Sequence, residues 1–552
     1  MPTILQSRFI VHLKILISKI FLLLLPFSLQ ASWVDDQLRS MPLRDKVAQL
    51  FVIDIKNNSP ETAKLLAQEN IGGVLFGHNT IAKQCKHLNR LQAISKTPLL
   101  VIQDAEWGLS MRLNDAPYFP KNMSLGAIQD LDLLRAYGYE IGKQARLMGI
   151  HMLLGPVVDV NTNPFNPIIG MRSFSDNPAR VITCAQAFLE GLHASGMQGC
   201  LKHFPGHGDA DRDSHKNIPS IDISRGIIPF TYLAQGGVAA IMTAHVLTPF
   251  LEENNAALAT MSQAVVTGLL RNTIGFRGLV ISDALKMGAV KQLYSPEAAA
   301  LKAFQAGCDI LLAPDNINAC ITALVAAVAQ GLVAETSIDE RVLRILKCKE
   351  LCGLEHRPII DIAAAKAFIQ RPAQAQLRTT LYEAAMTVLH NGQQVIPLKQ
   401  GAPFEIIDIQ AINTTSSADT QLRLAPNATK EEIDTALALL TADTVIIRIH
   451  CMHQRHSFLT PVRTLPAGID ILLNKLSMLQ KKIILVVATS PYTLPLLPAL
   501  PTIVAYEAAP EALDAAMAVV RGSKLATGVL TISFNASCTS ATTDNQSPGF
   551  GC

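Results

Sequence analysis

The sequence predicts an α/β protein: a (β/α)8 TIM-type barrel followed by a smaller αβα sandwich domain. Three observations carry this. The chain has 552 residues, room for two to four domains at roughly 150 residues each. Eight short apolar runs alternate with helical stretches between residues 49 and 314, and a second, shorter series of such runs begins past residue 400.

The eight runs are Gln49–Ile55, Gly73–Gly77, Leu99–Asp104, Met152–Val160, Gln198–Phe204, Val238–Val246, Gly278–Asp283 and Asp309–Pro314. Strands buried on both faces read as continuous apolar segments, and eight of them interleaved with helices mark a closed barrel. An open doubly wound sheet is the alternative use of the same pattern. Ser295-Pro296-Glu297 places a cap and a first-turn proline before an alanine-rich helix. Ser337 and Glu340 have capping-box spacing for a helix that ends near Gly353. The barrel is expected to occupy residues 33–353 and a linker packed along the surface residues 354–380, where Pro358 and Pro372 interrupt helical and polar stretches.

Residues 381–537 form the second unit. Phe404–Ile409, Asp443–His450, Ile483–Thr489, Thr502–Glu507 and Val529–Phe534 are strand-like, with helical stretches such as Ile469–Leu479 and Pro510–Arg521 between them. A mostly parallel sheet covered on both sides follows from that alternation. The Ser/Thr-rich tail, residues 538–552, has the composition of a disordered segment.

Composition excludes several classes. Hydrophobic residues make up 49% and charged residues 16%, and no apolar run past the N-terminus reaches the roughly 18 residues of a membrane span, which rules out a multipass membrane protein. The net charge is +3, and Arg8, Lys14 and Lys19 account for it before any acidic residue occurs, so an electrostatic nucleic-acid binder is disfavoured. Those basic residues lead into apolar Ile20–Leu25 and small Ala31 and Ser32. This is the order of an export signal over residues 1–32, predicting a periplasmic or extracellular protein. Leu29 makes a poor cleavage site, so an uncleaved N-terminal anchor is the other reading.

Ten cysteines are too sparse for a disulfide scaffold. Cys348 and Cys352, four apart on a helix with no second pair beside them, do not make a zinc ribbon. Most of the ten are read as buried packing residues.

In a barrel the chemistry sits at the C-terminal strand ends. Here those ends carry Asp104, Asp159, Lys202-His203, His245 and Ser282-Asp283. Charges converging from separate strands are costly to bury unless they pair or bind a ligand. The sharpest local feature is Lys202-His203-Phe204-Pro205-Gly206-His207-Gly208-Asp209-Ala210-Asp211-Arg212-Asp213-Ser214-His215. Pro205 and the two glycines forbid a helix, leaving a loop attached to a strand end. In an extended segment Asp213 and His215 point the same way, so the carboxylate can fix the imidazole tautomer and raise its basicity. A histidine so tuned suits proton donation and recovery near neutral pH.

Two plainer readings compete. His203, His207, Asp209, Asp211, Asp213 and His215 are all metal-ligand types, and the loop can equally be a set of satisfied polar residues. Asp283, ending an apolar strand, is a candidate nucleophile, although a lone aspartate at a strand end is more often a helix cap.

Taken together, these segments resemble the β-N-acetylglucosaminidases of glycoside hydrolase family 3. The resemblance rests on Lys202 to Gly208 with Asp213-Ser214-His215, and on Asp159-Val160-Asn161, Ile169-Gly170, Arg172-Ser173-Phe174 and Gly275 to Asp283, over residues 40–350. It implies Asp283 as nucleophile, His215 as acid/base and Asp213 as its orienting partner, with Asp104, Arg112, Arg172, Lys202 and His203 recognising sugar hydroxyl and acetamido groups. It also implies no metal and no organic cofactor. Related β-glucosidases usually carry tryptophan after the nucleophile, where this chain has Ala284. Where relatives commonly have a double glycine after the Asp-x-Glu of strand three, the chain reads Asp104-Ala105-Glu106-Trp107-Gly108.

The expected function is therefore a retaining exo-β-N-acetylglucosaminidase (β-N-acetylhexosaminidase). Its partners would be N-acetylglucosamine-containing glycans such as peptidoglycan fragments, with no nucleic acid and no stable protein partner. Histidine in place of an anionic base lowers repulsion toward phosphate, which makes phosphorolysis a second outcome. A metal-dependent barrel hydrolase and a catalytically silent carbohydrate-binding wall protein are the rivals.

Overall fold

The computed structural model describes residues 32–55, 60–249, 251, 257–410, 420–450 and 464–533. The export-signal reading, apart from Ser32, and the tail at 538–552 with Cys538 and Cys552 lie outside the described residues.

Eight parallel strands form the first unit: β1 Phe51–Ile55, β2 Gly73–Phe76, β3 Leu100–Gln103, β4 Met152–Leu153, β5 Gln198–Phe204, β6 Ala240–Thr243, β7 Leu279–Ser282 and β8 Leu311–Leu312. They run in the order β7-β6-β5-β4-β3-β2-β1-β8, and a parallel bridge from Ile281 to Ile310 brings the two ends together, so the sheet is a nearly closed barrel. Every strand expected for the barrel is present, and most are shorter than their apolar runs. Met152–Val160 contributes only two residues to the ladder before Gly155-Pro156, and Val157 then pairs once more with Lys202. A proline has no N–H to give to a ladder.

Local signals mostly hold. Ser295 accepts the Ala298 N–H at 3.2 Å and caps helix Pro296–Ala306, with Pro296 in its first turn. The capping box at Ser337 does not form. The helix begins earlier, at Glu335, and the Ser337 hydroxyl donates to the Ala334 carbonyl from inside the first turn. Gly353, at φ +75°, ends that helix. Residues 354–380 hold helix Ile362–Ile369 and the first part of Ala373–Ala385, with Ile369 fully buried and Asn89 bonded to both backbone groups of Ile360. The seven described cysteines are free and buried.

The second unit is a six-stranded sheet: β9 Thr387–Leu389, β10 Phe404–Ile409, β11 Leu422–Leu424, β12 Thr444–Ile449, β13 Lys482–Val487 and β14 Thr502–Val504. The order is β11-β10-β12-β13-β14-β9, parallel except for β9 against β14. One face packs Ile406, Ile446 and Ile484 against helices Ala373–Ala385 and Pro510–Val520; the other packs Ile407, Ile447 and Leu485 against helices Lys430–Leu437 and Ala467–Met478. This is the expected three-layer arrangement.

The expected strand Val529–Phe534 is corrected. Its described part joins no ladder and crosses to the barrel as an extended strap. Val529 N donates to the Ala127 carbonyl at 2.9 Å, the Thr531 carbonyl accepts from Ser175 Oγ at 2.6 Å, and Ser533 N donates to Asp176 at 2.6 Å. The segment has strand-like alternation, but its backbone partners are barrel loops. From β13 and β14 the chain also reaches the barrel, where the Tyr492 hydroxyl donates to Asn161 O at 2.9 Å and Glu507 accepts from Lys121 N at 2.8 Å. The C-terminal ends of β13 and β14 thus abut the loops that follow β3 and β4.

Candidate active site

The strand ends of the barrel converge as one ionic network. Lys202, near the end of β5, places its ammonium 2.9 Å from Asp104 and 2.8 Å from Glu106, both just past β3. Arg172 forks onto Glu106 through two 2.8 Å hydrogen bonds, and Arg112 binds the other oxygen of Asp104. Three cations therefore share two carboxylates, which offsets much of the cost of burying them. Burial alone would raise Asp104, yet Lys202 and Arg112 hold its carboxyl well below the usual range. Burial likewise opposes ionisation of Glu106, and Arg172 followed by Lys202 brings it down to about 2.

Asp159, fully buried after β4, is the second hub. It accepts from His203 N at 3.1 Å, from His203 Nδ1 at 2.7 Å and from His207 N at 2.7 Å. The Nδ1 proton of His203 is thereby committed to Asp159, and Nε2 faces the Arg172 guanidinium at 3.3 Å. All five residues expected to recognise sugar, Asp104, Arg112, Arg172, Lys202 and His203, thus fall in one connected cluster.

The loop after β5 carries the expected dyad. Asp213 Oδ1 accepts both the backbone N–H and the Nδ1 proton of His215, each at 2.9 Å. The contact anticipated for an extended segment is made, but within a turn at Ser214–Lys216, where the carboxylate also satisfies the backbone. Ser214, between the two, is buried and bonds His207 Nε2 at 2.9 Å, which pins the loop to the barrel. His215 itself has a side chain half exposed. Its carbonyl accepts from Gly288 N at 3.0 Å and that of Ser214 from Ala289 N at 3.3 Å, tying the loop to the segment just past Asp283.

Asp283 follows β7, half-buried, with its carboxylate accepting the Ala284 N–H at 2.7 Å. It is not a helix cap, since the next helix, Gly288–Lys291, has Met287 at its N-cap. Burial would raise Asp283, but His203, His245 and His215 hold it below its ordinary value. For His215 the hydrogen bond it donates to Asp213 raises the imidazole, burial opposes, and the charge of Asp283 adds to the rise. The two groups therefore lie at one end of the barrel, where the charge of each bears on the other: the carboxylate is biased toward its ionised form and the imidazole toward its protonated form. His245 is buried, bonded to Thr260 Oγ1 at 3.0 Å and to Ala284 O at 3.1 Å.

The metal-ligand reading of the loop does not find its geometry. His203 serves Asp159, His207 serves Ser214, Asp213 serves His215, Asp209 accepts from Asp222 N at 3.1 Å, and Asp211 is exposed beside Arg212. Among the described residues no three His, Cys, Asp or Glu side chains converge as a cage.

Glu106 and Ser214 were not singled out from sequence as site residues, and Asp159 was named as a strand-end charge without a role of its own. The signal for Glu106 was its place two residues past Asp104, which lets both carboxylates face Lys202; for Asp159 it was the strand-four end. After Glu106, Trp107 lies under the Lys121 ammonium at 5.8 Å, and Gly108 adopts φ +83° with the Phe119 ring 2.8 Å from where a Cβ would stand.

Residues 42–348 match the model of the glycosyl hydrolase family 3 N-terminal domain. A β-hexosaminidase A of Pseudoalteromonas piscicida is 32% identical over 381 residues, 62% of this chain and 63% of that one, so the match spans less than two thirds of that relative. A β-N-acetylglucosaminidase/β-glucosidase of Cellulomonas fimi is 28% identical over 68% of this chain and 69% of its own. Among solved structures, a glycoside hydrolase family 3 β-N-acetylglucosaminidase from Paenibacillus sp. FPU-7 superposes with a TM-score of 0.76 at 26% identity, covering 90% of this chain and 99% of that one. The barrel, its converging strand ends and the match across most of the first unit make the chain a member of glycosyl hydrolase family 3.

Proposed function

We propose that the protein is a retaining exo-β-N-acetylhexosaminidase that releases terminal β-linked N-acetylglucosamine, with peptidoglycan fragments as its natural glycans and an exported, periplasmic or extracellular, location. The observation that carries the reading is the pairing of an Asp213-oriented His215 with the segment following an ionised Asp283. In the first step Asp283 attacks the anomeric carbon while His215 gives its proton to the departing oxygen, leaving a glycosyl ester. In the second step neutral His215 takes a proton from water, whose oxygen displaces the ester and regenerates Asp283. Asp213 holds the Nδ1 proton, so the other ring nitrogen does the transfer. Asp104, Arg112, Arg172, Lys202 and His203 hold the sugar.

The discriminating experiment incubates purified protein with an aryl β-N-acetylglucosaminide and the matching glucoside, with and without phosphate. Turnover of the first, little of the second, and free sugar as product support the proposal. A glucoside preference overturns the sugar assignment, and a sugar phosphate as main product replaces water by phosphate as the acceptor.

A further inference from the structure

We infer that Glu507 is a positioning residue for the sugar subsite, acting across the boundary between the two units; the inference rests on the reading of that subsite proposed above. The one-turn helix Asn122–Leu125, on the long segment after β3, has Lys121 at its N-cap with no side-chain cap of its own. Helix N-termini leave N–H groups without intrahelical acceptors. Glu507, just past β14 of the second unit, fills that role: it accepts from Lys121 N at 2.8 Å and from Ser124 Oγ at 2.7 Å, with the Lys121 ammonium 4.0 Å away. A carboxylate from one unit thus caps a helical turn in the other.

That turn is wired to the site. Asn122, its first residue, is buried and donates from Nδ2 to the backbone carbonyl of Arg172 at 2.7 Å. Arg172 in turn forks onto Glu106 and faces His203. The path from Glu507 to the subsite therefore has two links, the capped turn and the Asn122 amide, each a direct hydrogen bond.

The aim of Glu507 is itself imposed. The preceding residue, Tyr506, is a buried non-glycine at φ +63°, a conformation costly for a bulky side chain. Its hydroxyl lies 3.1 Å from Thr387 Oγ1 and donates to the Val529 carbonyl at 3.1 Å, so β9 and the strap hold the ring in place. The kinked backbone turns Glu507 toward the barrel. Without this carboxylate, Asn122 and the Arg172 backbone lose their support, and substrate binding weakens while the reacting pair at Asp283 and His215 stays untouched.

The test measures KM and kcat on an aryl β-N-acetylglucosaminide, and the inhibition constant of free N-acetylglucosamine, for the full chain and five variants. Glu507→Ala and Asn122→Ala are each expected to raise KM and the inhibition constant together by about five- to tenfold, the scale of one lost cap, with kcat within about twofold. The double variant should be no worse than the poorer single one, because both cut the same path. Glu507→Gln, which keeps one acceptor oxygen, should fall between; it decides the matter if the alanine variant fails to fold. Gln129→Ala removes another contact between the units, to the Thr527 carbonyl, and should leave KM unchanged. Unmoved binding constants, a loss confined to kcat, additive single effects, or an equal rise in Gln129→Ala would each overturn the inference. A wild-type protein inert on every aryl glycoside would instead overturn the proposed function beneath it.

Discussion

The amide of Gly288 donates to the carbonyl of His215 at 3.0 Å, and a Cβ on Gly288 would stand 2.5 Å from that same oxygen. The loop bearing the proposed acid/base is thus seated against the backbone five residues past the proposed nucleophile, at a spacing only glycine permits. Gly288→Ala is expected to push the loop away and lower kcat/KM by about tenfold to a hundredfold, since small misplacements of a reacting group are costly. Thermal unfolding should barely change, because the loop is at the surface. An alanine variant of full activity would show that the seat has no part in catalysis.

Asp283→Asn should reduce turnover of an aryl N-acetylglucosaminide by about 10³-fold or more. His215→Ala should separate by leaving group: a loss of about 10²–10⁴-fold on alkyl aglycones that need protonation, and a much smaller one on acidic phenols. Equal losses on both substrate classes would remove His215 from the acid role.

The first step needs His215 protonated and Asp283 ionised. The hydrogen bond donated to Asp213 raises His215 above 6.5, and the surrounding histidines, against burial, keep Asp283 below 3.8. Accordingly, kcat/KM should fall as pH rises through the raised His215 value and again as pH drops through the lowered Asp283 value. Asp213→Asn removes the largest contribution to the first, so the alkaline limb moves to lower pH while the acid limb stays. A profile that keeps its alkaline limb in place would detach that limb from the dyad.

Glu106 and Arg172 have side chains 1% and 7% exposed. Glu106→Ala leaves Arg172 with a buried charge short of its partner and should cost about 3–5 kcal/mol in urea unfolding at neutral pH. The sign with acidity follows from the folded carboxyl lying at about 2 against an ordinary 4.5. Its contribution is full above the ordinary value and drains away as pH falls toward the folded one. The gap between wild type and Glu106→Gln should therefore be widest at neutral pH and narrow in acid; a constant gap would mean that ionisation of Glu106 does not support the fold.

Much of this architecture was legible in the chain because two-sided burial leaves a plain mark. Strands such as Phe404–Ile409 and Gln198–Phe204 are short, largely apolar segments, and the structure reproduces their bounds. Three-residue pairings leave no such mark, so Thr387–Leu389 and Leu422–Leu424 were not anticipated. Val529 to Ser533 misled because alternation records which side chains are buried, not where the backbone finds its partners. In the site, the loop motif named its own dyad. Glu106 and Asp159 were harder to rank, since their importance lies in three-dimensional pairing with Arg172, Lys202 and His203 from other strands.

The strap at Val529–Ser533 joins the two units a second time, independently of the covalent passage through residues 354–372. Ile359 in that passage is 86% exposed, an inviting place for a protease to cut. A single nick there should yield two fragments on a denaturing gel that still migrate as one particle under native conditions, buckled together by Ala127, Ser175 and Asp176.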